Sequence, residues 1–188
     1  MNSLTLLAIA VVVVVFWIYS IYTSVIRKRN KAQEAFSSID VQLKKRYDLI
    51  PNILTIAQKY MEHERGIMEE VTKLRTQVMG LSSNFENIDR KIALDGEIAK
   101  KMGQIMVAVE NYPQLKADQT MITAMQTYNE VEEHIAAARR FYNSAANELK
   151  NAVEIFPSSL FARMLNIKAV DFIKATEQER QPIKASDF

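Results

Sequence analysis

The sequence predicts an all-α protein in which an N-terminal transmembrane helix continues into an elongated antiparallel bundle of three to four long helices. Three observations support this fold class: an uncharged apolar segment near the N-terminus, apolar side chains that recur at helical spacing, and a scarcity of helix breakers. The 188 residues include only four Gly and four Pro, and they are 48% hydrophobic and 24% charged. This composition favours a packed helical core over a turn-rich β fold or a disordered chain.

The segment from Leu4 to Ile26 carries no charged side chain. As a helix with a rise of about 1.5 Å per residue it is roughly 34 Å long, enough to cross a hydrocarbon layer of about 30 Å. A cleaved signal peptide is disfavoured by this length, by the lack of a preceding basic residue and by the lack of a small-residue cleavage site after it. We therefore predict a short non-cytoplasmic stretch at residues 1–3 and a single transmembrane helix over residues 4–26.

Flanking charge predicts how this helix is oriented. No Lys or Arg precedes residue 27, whereas a cluster of four basic residues follows at once: Arg27, Lys28, Arg29 and Lys31. The positive-inside rule places that end in the cytoplasm of a bacterial cell, with the N-terminus outside. Two roles fit the cluster, contact with anionic lipid headgroups or the fixing of topology alone.

Beyond residue 31, apolar side chains recur in steps of four and three, a mean of about 3.5 residues, which is typical of the seam in a coiled coil or helical bundle. The first such stripe runs from Ala32 to Val78 and keeps its phase across Pro51. We expect one long helix that is kinked at Pro51. The alternative is a true break there, with Asp48 capping a second helix.

Turn residues and caps predict the later elements. In chain order these are a turn from Gly80 to Asn84, a second helix over about Asn87 to Glu110, a third helix from its cap Asp118 to about Pro157, and a short apolar helix over Ser159 to Phe172. Residues 27–172 thus form the predicted helical bundle domain, and residues 173–188 form a polar C-terminal tail.

The chain lacks the residue patterns of an enzyme or a metal site. Its two histidines are His63 and His134, and the pair His63-Glu64 lacks the second histidine of a metalloprotease motif because residue 67 is Ile. Cysteine is absent, and the formal net charge of +2 gives no case for nucleic acid. We therefore expect no enzyme activity, no cofactor and no metal. A hydrolase with an unrecognised site at His63 and Glu64 is the weakest alternative.

Two charged residues, Arg46 and Glu64, occupy core positions of the first stripe. In one interpretation the charges turn outward while Tyr47 and Met61 turn inward. In the other, the charges make register-fixing contacts with another helix or another subunit.

The segment from Phe156 to Ile167 is short and unusually apolar, and it supplies a candidate apolar interface. Its residues are Phe156, Leu160, Phe161, Met164 and Leu165. Three roles fit: a lid over the open end of the bundle, a subunit contact, or an amphipathic segment on a membrane with Arg163 and Lys168 at headgroup level.

The segment SIDVQLKKRYDLIPN, from Ser38 to Asn52, resembles the signature of the LemA family, and three later blocks resemble that family in the same order: Tyr112 to Ala117, Phe141 to Ala145, and Asn151 to Ser159. The resemblance implies a single-pass membrane protein with a helical bundle of cytoplasmic type and no established biochemical activity. A relative in the family is implicated in forming the magnetosome, which is a membrane compartment. The polar positions of the motif are then candidate inter-helix or inter-subunit contacts, together with Glu64: Asp40, Gln42, Arg46, Asp48 and Asn52.

The expected function is a membrane-anchored, non-enzymatic scaffold that self-assembles and organises or remodels the membrane. The alternative is an adaptor that tethers a cytoplasmic or membrane partner protein, such as a protease or a signalling protein. The expected partners are the lipid bilayer, further copies of the chain in a homo-oligomer and, for the adaptor, that second protein.

Overall fold

The computed structural model describes residues 2–82 and 84–173, and in that part of the chain every regular element is helical. The elements are α1 (Ser3–Ala57), α2 (Arg65–Met79), a 3₁₀ turn (Phe85–Asn87), α3 (Ile88–Val109), α4 (Pro113–Lys116), α5 (Gln119–Glu154) and α6 (Ser158–Met164). The predicted all-α class is confirmed. Met1 of the predicted N-terminal stretch, Ser83 of the predicted turn and residues 174–188 of the predicted tail (173–188) lie outside the described residues.

The contacts divide the chain into two compact units. The described part of unit 1 consists of residues 2–38 and 140–172, and that of unit 2 consists of residues 39–82, 84–139 and 173. The long helices α1 and α5 each contribute residues to both units.

Helix α1 passes through Pro51 without interruption and ends at Ala57. The predicted continuity through Pro51 is therefore confirmed, and the alternative of a break there is wrong. The predicted continuation of this helix to Val78 is also wrong. The end of the helix is marked by hydrogen bonds of the 3₁₀ type, which span three residues instead of four. The amide of Lys59 donates to the carbonyl of Ile56, and the amide of Tyr60 to that of Ala57. The chain then makes an irregular connection, and α2 begins at Arg65.

The first apolar stripe is the buried face of α1. Its positions from Ala32 to Ala57 are all buried, and beyond the connection Val71 and Val78 are buried as well. The connection between α1 and α2 has about as many residues as two helical turns, so the apolar pattern keeps its phase across it. The stripe therefore predicted the buried positions correctly, but it wrongly predicted one continuous helix across the connection.

Helix α5 begins as predicted at the cap Asp118, whose Oδ1 accepts hydrogen bonds from the amides of Thr120 at 2.8 Å and Met121 at 3.1 Å. Its stripe is buried from Tyr128 to Ala152, and the helix ends at Glu154. The one-turn helix α4 was not predicted, although Pro113 at its first position is a common helix start.

Helix α6 is shorter than the predicted Ser159–Phe172, because the chain turns left-handed at Asn166 (φ 51°). The amide of Asn166 donates to the carbonyl of Arg163, and that of Ile167 to the carbonyl of Ala162. This bond pair is a Schellman motif, which ends helices, and asparagine tolerates its left-handed position.

Candidate functional site

A buried charge cluster around Arg46 lies inside unit 2. The Arg46 side chain is 1% exposed, and its Nη1 donates to Asp95 Oδ2 at 2.6 Å. Its Nη2 ion-pairs with Glu132, and the guanidinium carbon lies 5.3 Å from the centre of the Tyr128 ring. One side chain of α1 therefore bonds to α3 and to α5 at once.

Burial and charge act against each other in this cluster. Burial lowers the pKa of Arg46, but the Asp95 carboxylate and its hydrogen bond bring that pKa above its ordinary value. Burial raises the pKa of Asp95, and the Arg46 guanidinium opposes the rise. Burial also raises the pKa of Tyr128 to about 12 and, together with the Asp95 charge, raises the pKa of Tyr47. Both hydroxyls therefore stay protonated at neutral pH.

Two further polar contacts join the helices of unit 2 to α1. Lys91 of α3 is nearly buried, and its Nζ donates to Asp40 Oδ1 at 2.7 Å. Arg75 of α2 donates from Nε to the backbone carbonyl of Tyr47 at 2.6 Å. Helices α2, α3 and α5 thus each bond to α1 through a charged side chain.

Glu64 lies at the N-terminal cap of α2, where its side chain makes no capping bond. Instead, Glu64 Oε2 accepts a hydrogen bond from the Tyr112 hydroxyl at 2.8 Å. This bond raises the pKa of Tyr112. It joins the start of α2 to the start of α4.

The structure separates the predicted contact residues into two groups. Asp40, Arg46 and Glu64 contact other helices within unit 2, as described above. Asp48 instead pairs with Lys44 on its own helix at 2.6 Å. Asn52 is exposed, and Gln42 is half-buried, with Oε1 lacking a hydrogen-bond partner among the described residues. For Arg46 the outward-facing alternative is wrong, because Tyr47 and Met61 are buried alongside it rather than in its place.

Sequence reasoning missed the partners of Arg46 and Asp40. No sequence pattern predicted Glu132, Asp95 or Lys91 as partners of these residues. One signal was available in the sequence of α3. Its apolar side chains recur every three or four residues except between Ile92 and Ile98, and Asp95 occupies the position that an apolar residue would fill there. This spacing indicates that Asp95 lies on the buried face of α3.

The N-terminal part of α1, in unit 1, contains the stretch that is long and apolar enough to cross a membrane among the described residues. It includes an 18-residue window of mean hydropathy 2.4, and none of that window is buried. The basic cluster follows on the same helix, where Arg27 and Arg29 are exposed and Lys31 Nζ pairs with Glu148 Oε1 of α5 at 2.8 Å. A groove of about 430 Å³ runs along this side of α1, and its lining includes Phe16, Tyr19, Ser20, Thr23, Ser24, Arg27, Lys28, Lys31 and Glu148.

The candidate apolar interface is largely exposed. The exposed fractions are 77% for Phe156, 54% for Leu160, 75% for Met164 and 37% for Leu165, while Phe161 is half-buried. A lid would bury these side chains against the fold, so the lid interpretation is wrong.

Within residues 2–82 and 84–173, no group of three or more His, Asp or Glu side chains is placed to hold a metal ion. His63 and His134 are both exposed.

Comparison with known proteins identifies relatives over most of the chain. Protein LemA of Metamycoplasma hominis is 24% identical over 164 residues, which cover 86% of this chain and 73% of the relative. Magnetosome protein MamQ 2 of Paramagnetospirillum magneticum and magnetosome protein MamQ of Magnetospirillum gryphiswaldense are each 21% identical over 203 residues, covering 95% of this chain and 75% of the relative. The family model described as LemA family matches residues 35–186, which begin after the apolar stretch. The chain is a membrane-associated protein and belongs to the LemA family.

Proposed function

We propose that this protein is a membrane-anchored, non-enzymatic scaffold whose copies assemble and organise or remodel the membrane. It crosses the membrane once, with the N-terminus outside and the helical region in the cytoplasm. The observation that carries the proposal is the continuity of α1, which is one helix from Ser3 to Ala57. A helix without a flexible linker transmits position and tilt far better than an unstructured tether.

The two ends of α1 have different environments, and this supports an anchoring role. The large apolar side chains from Leu6 to Tyr19 are exposed, whereas the face from Ala32 onward is buried. Charged side chains of α2, α3 and α5 then bond to the second half of the helix. Such bonds hold helices in one register, which favours a rigid element over a loosely tethered one.

Two observations support the choice of a scaffold over an enzyme. The charged side chains of Arg46, Asp95, Lys91 and Asp40 bond between helices, and no group of three or more metal-ligating side chains occurs among the described residues. Several relatives are named as magnetosome proteins, which supports a role for this chain in organising a membrane compartment.

A second candidate function is an adaptor for another protein. The exposed apolar side chains of Phe156, Leu160 and Met164 favour it, since exposed apolar clusters commonly mark interaction surfaces. An adaptor need not self-assemble, so the mass of the purified protein separates the two candidates.

The test is the mass of the full-length protein reconstituted in lipid nanodiscs of increasing diameter, with and without an amine crosslinker. The scaffold predicts two or more copies per disc whenever the disc has room, and crosslinked ladders that persist on dilution in lipid. A single copy per disc at every diameter, with no crosslinked species, refutes self-assembly. In that case, recovery of a stoichiometric second protein by a tagged chain supports the adaptor.

A further inference from the structure

Unit 1 carries an unusual set of exposed apolar side chains just after α5, which we call the apolar tip: Ile155, Phe156, Leu160, Met164 and Leu165. Their exposed fractions run from 37% to 77%. Single exposed apolar residues are normal on a soluble surface, whereas a cluster of large ones within eleven residues marks a contact surface.

The apolar tip is held in a defined conformation. Ala162 of α6 is fully buried, Ile167 is 8% exposed, and the Schellman bonds described above end the helix. The returning chain is fastened to α5, because the Tyr142 hydroxyl donates to the carbonyl of Asp171 at 3.0 Å. Five large apolar side chains are therefore held outward on an ordered segment, the reverse of what a water-facing surface favours.

The pairing of α1 with α5 shows the level at which the tip lies. Lys31 pairs with Glu148, and Arg46 pairs with Glu132, so the residue numbers fall along α5 as they rise along α1 and the two helices are antiparallel. Glu154, the last residue of α5, lies six residues beyond Glu148, about 9 Å along the helix. The same distance from Lys31 along α1 reaches Val25.

The burial of α1 agrees with this register. Val25 is fully buried, whereas the large apolar side chains from Leu6 to Tyr19 are all exposed. Cover for α1 therefore begins at the level where α5 ends. That level is also the end of the uncharged stretch, where the hydrocarbon of a membrane gives way to headgroups.

We propose that the apolar tip inserts into the cytoplasmic leaflet of the membrane that α1 crosses, as a second and shallow membrane contact. This inference rests on the membrane span of the proposed function. The bilayer is favoured over a second copy or another protein because, in this register, the tip lies at the level where the exposed apolar stretch of α1 ends and the headgroups begin. Charge agrees as well: Arg163 and Lys168 are exposed next to the tip, where cations meet anionic headgroups in interfacial segments.

The experiment uses tryptophan fluorescence, for which the chain is well suited because Trp17 is its single tryptophan. In a Trp17→Phe background, Phe156→Trp places a reporter on the tip. Val107→Trp is the matched control, because Val107 on α3 is 72% exposed, close to the 77% of Phe156. Each full-length variant is reconstituted in vesicles whose lipids carry bromine near the top of the acyl chains.

The expected result is at least a two-fold quenching of the Phe156→Trp signal by brominated lipid and no quenching of the Val107→Trp signal. Unquenched, red-shifted emission at position 156 overturns the proposal, because the tip is then in water. Unquenched, blue-shifted emission that reddens on dilution in lipid also overturns it, because the tip is then covered by a second copy. Equal quenching at positions 156 and 107 overturns it too, since the contact is then not specific to the tip.

The unmodified chain separates this inference from the proposed function. Trp17 lies near the middle of the apolar stretch, so in vesicles whose lipids carry bromine near the end of the acyl chains its quenching reports the membrane span itself. If Trp17 is quenched and the tryptophan at position 156 is not, the insertion of the tip is refuted and the membrane span stands. If Trp17 is not quenched, the membrane span is refuted, and with it the proposed anchor.

Discussion

Replacing Arg46 by Met should destabilise the protein strongly. Arg46 is 1% exposed and bonds to Asp95, whose side chain is 9% exposed. Removing one member of a buried ion pair costs about 3–5 kcal/mol, because the remaining charge is left desolvated and unpaired. We expect about 4 kcal/mol for Arg46→Met, since Asp95 is the more buried of its two carboxylate partners.

The second carboxylate makes the cluster asymmetric. Asp95→Leu leaves Arg46 paired with Glu132, whose side chain is 52% exposed. The loss is then roughly that of one hydrogen bond to a charged group, about 2 kcal/mol. In the double variant Arg46→Met with Asp95→Leu no buried charge is left unpaired, so its loss should be about 2–3 kcal/mol smaller than the sum of the single losses.

The assay is urea unfolding of the full-length protein in detergent micelles, followed by circular dichroism at 222 nm. Arg29→Met is the matched control, because Arg29 is exposed on the same helix, and it should change the free energy of unfolding by no more than about 0.5 kcal/mol. A loss below about 1 kcal/mol for Arg46→Met, or single losses that simply add, refutes the buried pair as a stabilising contact.

Three further predictions concern pH, helix capping and topology. First, the folded-state pKa of Tyr128 is raised to about 12, so the folded chain keeps a proton that the unfolded chain loses near pH 10, and stability should fall as pH rises from 10 to 12. Tyr128→Phe should flatten that fall in urea titrations, and an unchanged slope would contradict the raised pKa. Second, Asp118→Ala should cost about 1 kcal/mol through loss of the α5 cap, while Asp118→Asn should cost little, and equal losses would exclude capping. Third, replacing the basic cluster by Gln should give a mixture of membrane orientations, measured with a fluorescent protein fused to the C-terminus. The control replaces four exposed lysines further along the chain by Gln and should keep a single orientation: Lys44, Lys45, Lys59 and Lys73. An unchanged orientation without the cluster of Arg27, Lys28, Arg29 and Lys31 would contradict the positive-inside assignment.

The apolar periodicity predicted which residues are buried better than it predicted where helices end. The stripe from Ala32 to Ala57 is buried throughout, because a regular seam needs only local helical geometry and a covering neighbour. The end of α1 at Ala57 escaped prediction because the irregular connection keeps the phase of the pattern. The passage of α1 through Pro51 was predicted correctly, because the apolar stripe keeps its phase there.

The charge partners could not be found from sequence alone. Arg46 was recognisable as a charge on an apolar stripe, but its partners lie 49 and 86 positions further along the chain (95 minus 46 and 132 minus 46). Spacing within one helix carries no information about which other helix lies opposite. The end of α6 near Asn166 could not be predicted either. An asparagine in the sequence does not show that its backbone will be left-handed, and the Schellman bonds that end the helix depend on that conformation.

Electron cryo-microscopy of the full-length protein in liposomes tests the central claim most directly, because it shows α1, the membrane and the number of copies in one image. The account predicts assemblies of several copies, each with α1 crossing the bilayer as one helix that continues into the cytoplasmic helices. Isolated copies lying on the membrane surface, with the apolar stretch outside the hydrocarbon layer, would contradict it.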